Sequence, residues 1–435
     1  MSRLSTSLAT ACAILTLNIC LSDRAGSAAV QDNPVIQWNK TLLAIVRTPG
    51  AQPATVHPTR SFAVMHAAIY DAVNAIDGTH RPYLVRLERI SPHASHDAAA
   101  ASSAHEVLLA LYPAHQTAID AQFEQSLIQI PDGADKAEGV VIGKAVADAM
   151  LDLRSDDNSA SPPIPYVFGD DPGDYQSTPP NFPKQPVFTH WSRVTPFALT
   201  RANQFRPGPP PALTSEDYTE AFIEVKSVGI ANSTSVTADQ AFTGKFWNGT
   251  IQNYWNEIAQ TAAQSRQLTT AQSARLFALL NITIADGVIA FYDAKYTYNL
   301  WRPITAIRSA DADHNPSTIS DATWLPEVGK TAADPSYPGA HAVISAAGAS
   351  VLRAFLGVNQ FQFPVTSEVV PGVVRTFNSI TAAEQEASLS RVYAGVHFRT
   401  DEVAGDRLGR AIADFVVDNY LNPVERHEVR EADDK

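Results

Sequence analysis

The chain has 435 residues, with 45 acidic and 32 basic side chains and a formal net charge of −13. This acidic balance argues against binding to nucleic acid or to an anionic membrane surface. The two cysteines, Cys12 and Cys20, both lie near the N-terminus, so the rest of the sequence has no thiol for a disulfide or a thiolate metal site.

Residues 1–29 have the features of a secretory signal peptide. Arg3 gives a positive start, SLATACAILTLNI is an apolar stretch of suitable length, and AGSAA supplies small residues for cleavage. We therefore expect export to the periplasm or the extracellular space. No later apolar run is predicted to reach the roughly 18 residues that a transmembrane helix needs.

The next part of the chain predicts helices. Residues 59–77 are apolar on nearly every side and are followed by Gly78, which predicts a buried helix with a glycine stop. Three further helices are predicted over residues 95–113, 115–129 and 133–154. Together these elements predict an N-terminal helical bundle over residues 30–154.

Residues 155–212 have a different composition. Residues 155–217 hold 13 of the 29 prolines, with aromatic residues between them. A structureless loop of this length is uncommon in a compact domain unless it is functional or a linker, and the aromatic residues argue against a flexible linker. We expect an irregular segment that packs on the helices and forms a pocket wall or lid.

Helical patterns return at residue 213. Residues 213–425 are predicted to form a second helical bundle, with helices over 341–356 and 401–421, and residues 426–435 a charged tail. No repeat period and no convincing run of strands is visible. The predicted fold class is all-α, with two packed helical bundles connected by the proline- and aromatic-rich segment.

The stretch KYTYNLWRP places two cations among aromatic residues. Lys295 and Arg302 are seven residues apart, about two helical turns, which predicts that they share one helix face. Pro303 predicts that the helix ends at Arg302. Each cation can alternatively pair with a nearby carboxylate such as Asp286 or Asp293. Otherwise an anion is expected between them.

The stretch DPSYPGAHA combines a Pro-Gly turn with the start of a helix. The free N–H groups in the first turn of a helix, with the helix dipole behind them, form an anion site. Gly339 allows close approach of the backbone, and His341 lies at the mouth of this site. The alternative is an ordinary turn followed by an ordinary helical histidine.

The stretch SRVYAGVHFRTDEVAG contains a third group. Arg391 and His397 would lie on different faces of a continuous helix, but Gly395 offers a break that can turn both inward. Asp401 can then hydrogen-bond one ring nitrogen of His397 and make the other nitrogen more basic. The alternative is a solvated turn in which Asp401 caps the last helix.

Considered together, these three stretches predict an oxyanion site in the second bundle. Clustered cations without matching acids repel each other unless an anion lies among them. The arginine fork suits a tetrahedral oxyanion, and lysine supplies a compact charge. Phosphate and vanadate are the expected ligands.

The spacing of these stretches resembles a known signature. Lys-x6-Arg-Pro, then Pro-Ser-Gly-His, then Ser-Arg-x5-His is shared by vanadium-dependent haloperoxidases and the type 2 phosphatidic-acid phosphatase (PAP2) superfamily. KYTYNLWRP and SRVYAGVHF match in full, whereas YPGAHA has Gly339 where serine is usual and Ala340 where glycine is usual. The stretches RSFAVMHAAIYDAVNAI, WSRVTPF and QFRPGPPPALTS resemble the longer exported bacterial haloperoxidase-like proteins.

This resemblance implies a role for each matching residue. His397 would bind vanadium in the axial position through a ring nitrogen, with Asp401 behind it, and His341 would be the acid–base residue. The oxygens of the anion would be contacted by Lys295, Arg302, Arg391 and the amide of Gly339. The missing serine hydroxyl removes one expected contact to an oxygen.

The resemblance implies three alternative functions. In a haloperoxidase with bound vanadate, His341 takes a proton from hydrogen peroxide and Lys295 polarises the bound peroxide, which then oxidises halide to hypohalous acid. In an acid phosphatase, which needs no vanadate, His397 attacks a phosphate ester and forms a phosphohistidine. The third alternative is a non-catalytic oxyanion-binding relative. Tyr292 and Asp334 are candidates for tuning halide preference, and we expect His66 to be an ordinary core histidine.

Overall fold

Helices dominate the structure, a computed structural model that describes residues 32–88 and 90–424. They are α1 (Pro34–Arg47), α2 (Pro58–Asp77), α3 (His96–Leu111), α4 (Gln116–Ile128), α5 (Ala134–Leu153), α6 (Glu216–Val228), α7 (Ala238–Phe246), α8 (Ile251–Ser265), α9 (Thr270–Tyr298), α10 (Pro303–Arg308), α11 (Ala340–Leu356), α12 (Ile380–Tyr393) and α13 (Arg399–Asn419). The all-α prediction is confirmed. The predicted signal peptide (1–29) and charged tail (426–435) lie outside the described residues.

Local sequence explains where several helices begin. Thr237 and Thr269 each cap a helix, and the glutamine three residues later bonds back to the threonine amide, so two free N–H groups are satisfied at once. Proline stands in the first turn of α1, α2 and α10, where its missing N–H costs nothing.

A small hairpin is the one sheet among the described residues, and the sequence did not predict it. Strands β1 (Gln360–Thr366) and β2 (Val374–Ser379) pair antiparallel, with Phe363 opposite Phe377. Pro364 lies within β1 and cannot donate to a ladder, which obscured the strand pattern. Two strands suffice here because Phe363 is buried against the helices.

Helix α9 runs through the core and contacts helices from both predicted bundles. Within the described residues it alone is long and apolar enough to cross a membrane, so the prediction that no segment reaches that length was wrong. Of its most apolar window, 94% is buried inside the protein. Helix α2 packs directly on α9 and α3 packs on α5. The boundaries of the two bundles at residues 154 and 213 stay a prediction.

Two buried polar residues of helix α2, His66 and Asp71, have structural partners. His66 Nε2 lies 2.9 Å from Asn39 Oδ1, and its ring stacks on Phe277. The carboxylate of Asp71 accepts three backbone N–H bonds from residues 83–85. The core interpretation of His66 is confirmed by these contacts.

The proline-rich segment is attached along α9 by hydrogen bonds. The carboxylate of Asp286 accepts the N–H groups of Phe197, Ala198 and Leu199 at 2.6, 2.7 and 2.7 Å. About two turns further along α9, Asp293 makes a two-bond ion pair with Arg206 of the segment. A carboxylate has enough lone pairs to accept from several donors. Each aspartate can therefore hold part of the proline-rich segment, which lacks regular backbone hydrogen bonds of its own.

Close packing of α11 on α13 brings together two of the predicted site stretches. Gly405 and Gly409 are four residues apart and therefore share a face of α13. A Cβ atom at Gly409 would lie 2.9 Å from Ala346 Cβ, so only glycine permits this approach. The start of α11 is thereby held beside the start of α13.

Candidate active site

The two cations of KYTYNLWRP meet, but not on one helix. Helix α9 ends at Tyr298, where Asn299 takes a left-handed conformation with φ 50°, and Arg302 caps the following helix α10. The prediction of a shared helix face was therefore wrong. The chain reverses between Lys295 and Arg302, and both side chains are buried and directed to the same loop.

That loop supplies a carboxylate, Asp334, which the sequence interpretation did not recognise as their partner. Asp334 Oδ1 accepts a hydrogen bond from an Arg302 terminal nitrogen and lies 3.7 Å from Lys295 Nζ. We expected the cations to have no matching acid, and for Lys295 and Arg302 this expectation was wrong, since Asp334 is their partner. Neither Asp286 nor Asp293 is the partner, since both bind the proline-rich segment.

Backbone carbonyls of the same loop hold both cations further. Lys295 Nζ donates to the carbonyls of Pro335 and Ser336, and Arg302 Nε donates to the carbonyl of Asp334 at 2.8 Å. Burial lowers the pKa of Lys295 to about 8, although Asp334 opposes this shift. Lys295 therefore stays mostly protonated at neutral pH.

His397 lies between Arg302 and Asp401. Its Nε2 is 2.9 Å from an Arg302 terminal nitrogen, which is always a donor, and its Nδ1 is 3.1 Å from Asp401 Oδ2. These partners assign the proton to Nδ1 and leave a lone pair on Nε2. Burial and the nearby cations lower the pKa of His397 well below its usual value, so the ring is neutral.

Asp401 is itself fixed by its neighbours. Its Oδ2 accepts the Ser336 hydroxyl at 2.6 Å and the Phe398 amide at 3.0 Å, in addition to facing His397. Burial raises the pKa of Asp401 to about 6. Asp401 lies in the first turn of α13 and caps this helix. The same residue therefore orients the ring of His397.

Gly339 does not offer its amide to an anion. The Gly339 N–H donates to the backbone carbonyl of Asp401 at 2.9 Å, so the predicted contact from this amide to an oxyanion is contradicted. The next amides of the first turn of α11 have no partner within their helix. A Cβ atom at position 339 would collide with the carboxyl of Glu402, which lies against this glycine.

His341 projects from the first turn of α11 toward a backbone carbonyl. Its Nε2 is 2.9 Å from the carbonyl of Trp247, which only accepts, so Nε2 carries the proton. Nδ1 is then the nitrogen that can take up a proton. Burial, together with Arg391, lowers the pKa of His341 well below its usual value and keeps the ring neutral.

Arg391 is buried and incompletely paired. One terminal nitrogen donates to Asn248 Oδ1 at 2.9 Å, whereas its Nε and its other terminal nitrogen have no hydrogen-bond partner. Burial lowers the pKa of Arg391 to about 10, against the attraction of Glu402. Gly395, with φ 77°, makes the bend between α12 and α13 that directs Arg391 and His397 to one place.

The structure thus brings together Lys295, Arg302, His341, Arg391, His397 and Asp401, with Gly339 beside them. Sequence reasoning missed Ser336, Asn248 and Glu402 as members of the site and treated Asp334 only as a tuning residue. Ser336 and Glu402 lie within the quoted stretches, but their contacts depend on folding. Asn248 lies outside these stretches and carried no signal.

Fold and site define a helical protein with a buried cluster of cations around a neutral histidine. Residues 275–426 match the family model described as the VCPO second helical-bundle domain. The vanadium chloroperoxidase of Curvularia inaequalis is 25% identical over 494 residues, covering 86% of this chain and 79% of that protein.

Two bacterial structures share the fold. A vanadium-dependent iodoperoxidase has a TM-score of 0.74 at 24% identity, covering 91% of this chain and 96% of that chain. A holo-type vanadium-dependent chloroperoxidase has a TM-score of 0.68 at 16% identity, covering 89% and 97%. These matches support the resemblance to the vanadium haloperoxidase family that the motifs predicted.

Proposed function

We propose that this chain is a vanadate-dependent haloperoxidase that oxidises halide with hydrogen peroxide to hypohalous acid or an equivalent halogenating species. The observation that carries the proposal is a buried histidine whose unprotonated Nε2 lies among three buried cations and accepts from one of them, Arg302. The similarity to chloroperoxidases and an iodoperoxidase over most of their lengths favours this reaction over others of the same pocket.

The residues present fit a tetrahedral oxyanion. Arg391 keeps two nitrogens without a partner although it is only 5% exposed. A buried donor without a partner costs free energy, and an oxyanion would satisfy it. Arg302 already faces the Nε2 of His397, so the same guanidinium can contact an oxygen of a group held there.

In this proposal His397 Nε2 would hold vanadate, and Lys295, Arg302 and Arg391 would neutralise its oxygens. Bound vanadate supplies Lewis-acid activation of peroxide without a change of oxidation state. Asp401 keeps the Nδ1 proton in place, so that Nε2 remains the unprotonated nitrogen. Lys295 stays cationic without exposure to water because the loop carbonyls solvate it.

His341 would act as the general base toward hydrogen peroxide. Its Nε2 proton is committed to the Trp247 carbonyl, so Nδ1 is the acceptor. The lowered pKa keeps the ring unprotonated at neutral pH and therefore able to take a proton.

A paired assay tests the proposal. We expect the purified chain, incubated with orthovanadate, to oxidise bromide or iodide with peroxide, and His397→Ala to lose this activity. Hydrolysis of an aryl phosphate without any vanadate-dependent halide oxidation would contradict the proposal. Full activity in His397→Ala would contradict the assigned site.

Acid phosphatase activity is the second candidate, since one observation supports it. A neutral histidine with an unprotonated Nε2 and a carboxylate behind Nδ1 is also arranged as a nucleophile for phosphoryl transfer. The aryl phosphate arm of the assay measures it. Binding of vanadate without either activity would indicate a non-catalytic relative.

We also propose that the chain is exported, on the composition of residues 1–29. The mass of the protein recovered outside the cytoplasm should correspond to a chain cleaved near residue 29. An uncleaved chain retained with the cells would contradict this.

A further inference from the structure

A cavity at the start of α9 is not used by the proposed function. Its volume is about 440 Å³, within the range of roughly 300–1,000 Å³ that small-molecule sites occupy. Arg275 of α9 lines this cavity, whereas Lys295 of the candidate active site lies about 30 Å further along the same helix. A small ligand in the cavity therefore does not reach the oxyanion site.

One wall of the cavity is apolar. It is formed by four side chains that the fold leaves only half-buried, namely Leu268, Ala271, Phe355 and Leu356. An apolar surface that stays partly open in a concave cavity gains free energy when an apolar ligand covers it. This wall therefore favours a ligand with a hydrocarbon body.

Arg275 lies half-buried beside this wall. Its Nε donates to the carbonyl of Leu421 at 2.8 Å, and its guanidinium lies 5.4 Å from the centroid of the Phe355 ring. Within the described residues no carboxylate pairs with Arg275, so nothing acidic counters the burial that lowers its pKa. Because Nε is already occupied, the two terminal nitrogens remain to bind a carboxylate side by side.

The charges around the cavity complement an anion. Asp77 is the one carboxylate among the described residues that line it, and it lies 2.8 Å from His96 Nε2. The side chain of Asn74 exchanges two hydrogen bonds with the backbone of His80. Arg266, which is exposed, adds a second positive charge. The cavity is thus locally cationic, although the whole chain carries a formal charge of −13.

We propose that this cavity binds a small organic carboxylate with an apolar body, separately from the oxyanion site. The carboxylate accepts hydrogen bonds from both terminal nitrogens of Arg275, and the body covers the apolar wall. A carboxylate without such a body loses the contact with the wall, and a neutral amide of the same shape loses the charge. The inference does not depend on the reaction proposed above.

Calorimetry on the purified chain at pH 7 tests this with phenylacetate, phenylacetamide and acetate as probes. We expect phenylacetate to bind at least about tenfold more tightly than phenylacetamide, because the neutral amide loses the charged hydrogen bonds to Arg275. It should also bind at least about tenfold more tightly than acetate, which has no ring to cover the apolar wall.

A matched pair of variants assigns the charge. Arg275→Met should weaken phenylacetate binding about ten- to a hundredfold and bring its affinity close to that of phenylacetamide. Arg308 is also half-buried, and its Nε also donates to a backbone carbonyl, that of Trp324, at 2.9 Å. Because Arg308 lies away from this cavity, Arg308→Met should keep the wild-type affinity for phenylacetate.

Two further variants locate the ligand. Ala271→Trp fills the cavity without changing its charge and should abolish phenylacetate binding, and it also serves if Arg275→Met does not fold. Arg391→Met removes a cation of the oxyanion site and should leave phenylacetate affinity unchanged.

Equal binding of phenylacetate and phenylacetamide, or no binding of phenylacetate at millimolar concentration, would overturn the inference. Unchanged phenylacetate affinity in both Arg275→Met and Ala271→Trp would do the same. Loss of binding in Arg391→Met alone would locate the carboxylate at the oxyanion site instead. The proposed function is unaffected by each of these results, since halide oxidation is measured in a separate assay.

Discussion

Two arginines of this chain are equally buried but differ in how they are paired. Arg154 is 4% exposed and directs its nitrogens to the carboxylate of Asp157 and to the carbonyls of Thr195 and Pro196. Arg391 is 5% exposed and has one partner, Asn248. The first serves the fold, whereas the second keeps two donors that the proposed oxyanion would satisfy.

Replacing each arginine by methionine should separate these roles. Arg391→Met should weaken phosphate and vanadate binding by about ten- to a hundredfold, since charged hydrogen bonds are lost. Its free energy of unfolding should change by less than about 1 kcal/mol, because an incompletely paired buried charge is removed. Arg154→Met should lose about 3 kcal/mol and leave anion affinity unchanged. Urea unfolding and calorimetry measure the two effects, and a destabilised Arg391→Met with full anion affinity would contradict this assignment.

Single residues of the site were predicted better than their partners. The stretches KYTYNLWRP, DPSYPGAHA and SRVYAGVHF predicted the cations and both histidines, because residue type and helix ends are local features. The ion pair of Arg302 with Asp334 spans 32 residues, and the contact of Arg391 with Asn248 spans 143. Such pairs depend on how helices pack, which spacing along the chain does not encode.

At the scale of elements, the bend between α12 and α13 depends on Gly395. Its φ is 77°, and a Cβ atom there would collide with the carbonyl of Gly229 and lie 3.0 Å from Pro326 Cα. Gly357, at the end of α11, has a similar φ of 66° but nothing within 4 Å of the added atom. Comparing these two glycines therefore separates the cost of a left-handed backbone from the cost of a close contact at the Cβ position.

Replacing Gly357 and Gly395 by alanine should give different losses of unfolding free energy. Gly357→Ala should cost about 1–2 kcal/mol of unfolding free energy, the usual strain of a left-handed residue. Gly395→Ala should cost more than this and should also weaken anion binding, because Arg391 and His397 are displaced. Equal losses in urea unfolding, with unchanged anion affinity in both variants, would show that the contact at Gly395 is unimportant.

The ends of elements were the weakest part of the sequence prediction. Helix 59–77 was found within one residue because its apolar pattern is continuous and Gly78 marks its end. The end of α9 was placed at Arg302 because the proline signal was stronger than the left-handed Asn299. The β1–β2 hairpin was missed because Pro364 interrupts it. Prolines and glycines in the sequence predict the ends of helices and strands reliably only where they agree with the packing of those elements.

At the scale of the whole molecule, Asp286 connects the proline-rich segment to the central helix α9. Asp286→Asn replaces one acceptor oxygen by a donor that faces backbone N–H groups of residues 197–199, and we expect a loss of about 2 kcal/mol or more. Hydrogen exchange at residues 197–199 should accelerate. Asp293→Asn, at the more exposed pair with Arg206, should lose about 1 kcal/mol or less. Similar losses in the two variants would contradict the role given to Asp286.

The pH dependence of stability should reveal the buried histidine of α2. Burial lowers the pKa of His66 to about 3, against an ordinary value of 6.5. Between these values the folded state binds fewer protons than the unfolded state, so the stability contribution is complete above pH 6.5 and falls as the pH decreases.

From pH 7 to pH 5 the unfolded state gains most of one proton at this site. We expect the wild type to lose about 2 kcal/mol more unfolding free energy over this interval than His66→Gln, which keeps a donor for Asn39 without titrating. Urea unfolding at both pH values measures the difference, and the exposed His93→Gln should behave as the wild type. His57, whose pKa burial also lowers to about 3, is present in every variant and cancels in the comparison. An identical loss of unfolding free energy in His66→Gln and the wild type would mean that the core accepts the charged ring. The burial of His66 and its stacking on Phe277 argue against that outcome.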